Sequence, residues 1–106
     1  MDSGAKQKVV YKPKAIAGIN AIAKHIAEEG YTETSKKFAD RLYDFGDSLS
    51  FLPNKYKLCP HPKLAKRNMR CAVFQKYYIF VHKVESDELI IYNVIHARTN
   101  PKSFGA

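Results

Sequence analysis

Residues 77–84 and 89–96 are two runs rich in β-branched and aromatic side chains, separated by the polar link Glu85-Ser86-Asp87-Glu88. Such a pattern reads as an antiparallel hairpin. With Val84 opposite Leu89, a period of two puts Tyr78, Phe80, His82, Val84, Leu89, Ile91, Asn93 and Ile95 on one face, and Ile79, Val81, Ile90, Tyr92 and Val94 on the other. Both faces are largely apolar. An antiparallel sheet in water usually wets one face, so the second must be covered by the chain's own helices, its tail or another chain. Function is expected on that second face.

The remaining pattern supplies the cover for the first face. Residues 7–12 form a short strand candidate, and Pro13 suits the first turn of a helix. Ile16, Ile19, Ile22, Ala23 and Ile26 then repeat at helical spacing as far as Gly30, which is placed to end the helix. A second helix begins near Thr32 or Thr34, either of which can cap it, and buries Phe38, Leu42, Phe45, Leu49 and Leu52 before Pro53. The two form an αα-hairpin. Residues 53–64, with three prolines, read as a loop, and 67–74 as a strand turning at Gln75-Lys76 into the hairpin. The expected fold is α+β: an N-terminal strand, a helical hairpin, then a three-stranded antiparallel meander with the helices on one face.

At 106 residues the chain is read as one domain, with 1–6 and 102–106 expected to be flexible. Its 45% hydrophobic and 26% charged residues suit a folded globular protein. No apolar stretch approaches the roughly 18–20 residues of a membrane span, and the first residues lack the apolar core of a secretion signal, so a cytoplasmic protein without a membrane partner is expected. Cys59 and Cys71 match no zinc or redox spacing, and ordinary reduced thiols are the expectation; a disulfide needs their Cα atoms within about 7 Å. Cys59-Pro60-His61 offers two metal ligands where a site needs three or four, so no metal is expected.

Charge is distributed unevenly. Residues 1–50 carry eight basic and seven acidic side chains, a balance of +1, whereas residues 51–106 carry ten and three, a balance of +7. An anionic partner, nucleic acid or an acidic protein segment, fits the second half. Lys63, Lys66, Arg67 and Arg70 place four positive charges within eight residues, suited to phosphates or to a partner's carboxylates. His96 and Arg98, two apart on a strand, share a face and form a candidate pair of base and phosphate clamp. His82 falls among apolar neighbours, where a neutral, hydrogen-bonded imidazole is expected. Tyr77, Tyr78 and Tyr92 alternate with Ile and Val, which favours core packing over base stacking. His25 and His61 read as surface residues.

In its order of elements the chain resembles the RelE/ParE superfamily of bacterial toxins over residues 8–104. The resemblance is carried by the Ile-rich first helix, Leu52-Pro53-Asn54-Lys55-Tyr56-Lys57, a strand bearing Arg70, the run from Tyr77 to Val84, and Ile91-Tyr92-Asn93-Val94-Ile95-His96-Ala97-Arg98. It implies a growth-arresting toxin of a type II toxin-antitoxin, plasmid-stabilising system, silenced by a cognate antitoxin. RelE-like members cut messenger RNA on the ribosome without a metal, using an arginine within the third strand, another ending the fourth, and often a tail tyrosine. ParE-like members inhibit DNA gyrase. Here Arg98 and Arg70 fit the first set, with His96 beside them, but Tyr78 or a neighbour replaces the third-strand arginine and Phe104 the tyrosine. The ParE-like branch is therefore favoured, with ribosome and messenger RNA as the alternative target and no cofactor in either case. Lys63, Lys66, Arg67, Arg70, Tyr78, His82 and Arg98 are the expected contacts to target or antitoxin.

Overall fold

Pro13 and Gly30 bracket the first helix as their backbone chemistry requires. In the computed structural model, which describes residues 8–51 and 55–97, strand β1 (Lys8–Tyr11) leads directly into helix α1 (Pro13–Glu28) with Pro13 in its first turn. Gly30 follows its C-terminus with φ +97°, a conformation that costs glycine little. Helix α2 (Thr32–Ser48) returns antiparallel to it. Its N-cap is Tyr31, which makes no side-chain cap, so neither Thr32 nor Thr34 has the capping role expected of it. Leu52 and Pro53 lie outside the described residues.

A five-residue helix, α3 (Pro62–Lys66), precedes strands β2 (Arg70–Phe74), β3 (Tyr78–Glu85) and β4 (Glu88–His96). The sheet order is β1-β4-β3-β2. The last three strands are the expected antiparallel meander, while β1 adds to β4 in parallel, as its arrival through a helical crossover allows. Glu85 pairs with Glu88, so the hairpin turn is two residues long, with Ser86 at φ 55°. Residues 1–6 and 102–106, read as flexible from the sequence, lie outside the described residues.

Helices α1 and α2 cover one face. Ala15, Ile19 and Ile22 from α1 meet Phe38 and Leu42 from α2 over Ala72, Phe80, Leu89, Ile91 and Val94 of the sheet. Phe80, Ile19, Leu42, Leu49, Leu89 and Ile91 are among the largest fully buried side chains, each contributing about 1.5–3 kcal/mol relative to exposure. Ile16, expected in the stripe, is 39% exposed, because Ala15 faces the sheet in its place. The helix also approaches unusually closely at Gly18, where any Cβ would strike the Val94 carbonyl.

The register confirms Val84 opposite Leu89 but breaks once. Val81 faces Asn93 and His82 faces Ile91, so Tyr92 is an extra residue in β4, a β-bulge. The Val94 amide is satisfied by the Asn93 side-chain oxygen at 2.9 Å. Beyond the bulge the alternation is inverted: Val94 joins the helix-side core, and Ile95 the opposite cluster. Strict alternation had placed them the other way round.

The second face is covered by the chain itself. Residues 57–59 run beside 69–71, Cys59 N–H donating to the Met69 carbonyl at 2.9 Å and Cys71 N–H to the Lys57 carbonyl at 3.2 Å. Between these rails α3 folds over the sheet, and Leu64, Met69 and Cys59 bury against Val81 and Ile95. Helix α3 occupies sequence read as loop, and β2 begins only at Arg70. Cys59 and Cys71, expected to be free thiols, form a disulfide across a Cα separation of 4.9 Å and close the base of this excursion.

Candidate functional site

The bulge decides where His96 points. With the alternation inverted, His96 pairs with Tyr78 and turns toward α1 rather than toward the second face. There a cleft of about 300 Å³ opens between α1 and the ends of β3 and β4, lined by Gly18, Ala21, Ile22, His25, Ile26, Tyr78, Val94 and His96. The His96 ring stacks parallel to Tyr77 at 6.0 Å and stands edge-on to Tyr78 at 4.8 Å. Tyr77, expected in the core, is instead 39% exposed in the turn after Gln75 and Lys76, both of positive φ. Burial pushes the Tyr78 hydroxyl above its ordinary range, so it stays protonated. His25, across the cleft, is exposed and faces Glu29 at 3.3 Å.

The expected cations do not act as one group. Arg70 lies in register with His82 on the helix side of β2 and donates to the Tyr56 carbonyl at 2.7 Å. Lys63, Lys66 and Arg67 belong to α3 and the turn after it, on the other side of the sheet. Four charges close in sequence are thus divided between two faces. The α3 helix that presents them starts at Pro62, and its N-cap, His61, accepts the Lys63 amide on Nδ1 at 3.3 Å. Proline behind a residue with a side-chain acceptor was the sequence signal for this helix.

His82, expected to contact target or antitoxin, is instead fully buried and offers no surface for such a contact. Its Nδ1 lies 3.2 Å from the Phe80 carbonyl and Tyr56 stands edge-on to its ring, as expected for a hydrogen-bonded core histidine. Arg98 and Phe104 lie outside the described residues.

On the second face, sequence reading missed Lys12. Its Nζ and the Arg67 guanidinium each lie 5.9 Å from the Tyr92 ring centroid. The Tyr92 hydroxyl donates to Glu85 at 3.1 Å, and Lys83 approaches the same carboxylate at 3.4 Å. Burial, then the bond to Glu85, raises the Tyr92 pKa, with Arg67 opposing. Lys12 was not readable as part of this group because only the parallel pairing of β1 with β4 brings it there. Among the described residues, no group of three His, Cys, Asp or Glu side chains can hold a metal ion, and no helix is long and apolar enough to cross a membrane.

A family model described as the ParE toxin of the type II toxin-antitoxin system parDE matches residues 9–101. No curated protein matches significantly. Among solved structures the chain is similar to one of the chromosomal ParDE toxin-antitoxin system from P. aeruginosa, with TM-score 0.74 and 16% identity over 87% of this chain and 97% of that chain. At that identity the likeness speaks for the fold, which is the expected RelE/ParE arrangement. The match over nearly the whole length, joined to this architecture, decides the matter: the chain belongs to the ParE toxin family of type II toxin-antitoxin systems.

Proposed function

We propose that this toxin arrests growth by binding and inhibiting DNA gyrase, without a chemical step of its own, and that a cognate antitoxin neutralises it. One observation carries the choice. Cutting RNA through its 2′-hydroxyl needs a base and phosphate-neutralising cations around one phosphate. His96 lies on the α1 side, whereas Lys63, Lys66 and Arg67 lie on the opposite face, with the sheet between them. Arg70 shares the helix side with His96 but sits at the start of β2, whereas His96 pairs with Tyr78 beside the other end of that strand. Among the described residues, this division supports a binding toxin over a ribosome-dependent ribonuclease.

The antitoxin has suitable apolar surface. Val73 is 52% and Leu58 44% exposed beside edge strand β2, with Tyr77 at its end. An acidic, amphipathic segment that orders on binding suits such an edge on a basic protein. Because it binds only the folded toxin, a hundredfold excess over Kd stabilises by about 2.7 kcal/mol. An unchanged melting temperature at saturating antitoxin contradicts this.

Tightly controlled expression tests the target. The expected result is arrest with DNA-damage signalling while translation continues, relieved by co-expressed antitoxin. Loss of translation with cleaved messages and no damage signal overturns the gyrase reading, and unimpeded growth with folded protein present overturns toxicity itself.

A further inference from the structure

The fold gathers cations from separate parts of the sequence onto one patch of the second face. Lys12, at the end of β1, and Arg67, just after α3, flank the Tyr92 ring. Lys63 and Lys66 stand exposed on α3, whose Leu64 is turned inward. Among the described residues no carboxylate pairs with any of these four, and Glu85, the acid bonded to Tyr92, already holds the Tyr92 hydroxyl and Lys83.

We propose that this patch binds the phosphate backbone of double-stranded DNA, with Lys12, Lys63, Lys66 and Arg67 as its contacts. Two features select that partner. Leu64 and Met69 bury the apolar side chains beneath, and the exposed Val73 and Leu58 lie by β2, at the opposite edge of the sheet from Lys12, which leaves charge here without the apolar groove an amphipathic protein segment needs. Tyr92 is flanked by two cations and held through its hydroxyl, so it is not free to stack on the bases of a single strand. What remains is the sequence-independent attraction of fixed cations to a duplex backbone. The choice of DNA over duplex RNA rests on the gyrase reading; the backbone binding does not.

The test is fluorescence anisotropy of a labelled DNA duplex with the full, disulfide-intact chain. Four contacts predict a salt slope of roughly −3.6, a loss of about 10²-fold in affinity between about 50 and 200 mM salt. The triple variant Lys63→Gln, Lys66→Gln, Arg67→Gln should reduce the magnitude of that slope by about 2.7 with the melting temperature unchanged. The matched variant Lys24→Gln, Lys36→Gln, Lys37→Gln, on exposed positions of α1 and α2, should leave the slope intact. Equal loss in both variants, or no duplex binding at the lower salt, overturns the proposal. Tighter binding of single-stranded RNA, of duplex RNA, or of polyglutamate in place of DNA likewise overturns it. Supercoiling is assayed separately: inhibition without duplex binding sinks only this patch, and duplex binding without inhibition sinks only the gyrase reading.

Discussion

The two faces of the sheet are covered by different means. On one, two helices of 16 and 17 residues supply a broad apolar layer and approach so closely that Gly18 must lack a side chain. On the other, a five-residue helix contributes Leu64, and the cover is anchored by Met69 and a disulfide. A helix that short has little stability of its own. The first face is held by buried area; the second depends on local anchors, which frees its outer surface to carry charge.

The contrast predicts graded costs of substitution. Phe80→Ala, at the centre of the helix-side core, should cost about 3–5 kcal/mol by denaturant unfolding. A cost under about 1 kcal/mol would mean that this face is not the principal core. Opening the disulfide by Cys59→Ser with Cys71→Ser should cost about 3 kcal/mol, the loop-closure value for a cross-link twelve residues apart. Hydrogen exchange should then rise over residues 57–69 and hardly change in α1 and α2. Uniform loosening of both layers would show that the faces are not independent.

Leu64→Ala is expected to cost about 2 kcal/mol, the low end for a buried leucine, since its cluster is small. Smaller still is the effect of Tyr11→Phe. The Tyr11 hydroxyl donates to Asp47 at 2.8 Å, and burial together with that bond raises its pKa above the ordinary 10.0. A folded pKa above the unfolded one favours the native state fully below about pH 10 and less as pH rises through the folded value. Alkaline titration should therefore lower the melting temperature of the wild type more than that of Tyr11→Phe, whose cost at neutral pH is about 1 kcal/mol. Equal alkaline losses would remove Tyr11 from the account.

Much of this was legible from residue order. The Ile spacing, Pro13 and Gly30 specify α1, and the hairpin declares its two apolar faces. The inversion at Tyr92 was not legible, because a bulge arises from pairing between strands, and a strand apolar on both faces, as β4 is either side of Tyr92-Asn93, shows no shift of period in its local sequence. That one residue turns His96 away from the α3 cations, so the candidate site inherits the error. Lys12 was hidden for a similar reason: nothing local says that β1 pairs in parallel with β4. The disulfide was hidden too, since sequence spacing carries no Cα distance.

Inhibition without chemistry is tested most directly by His96→Ala in two assays run side by side, gyrase supercoiling and cleavage of messages on stalled ribosomes. A binding toxin gives His96 no proton to move, so folded His96→Ala should inhibit supercoiling nearly as well as the wild type, and neither protein should cut messages. Wild-type cleavage at codon boundaries that falls by about 10²-fold or more in His96→Ala, with supercoiling untouched by both proteins, would contradict it.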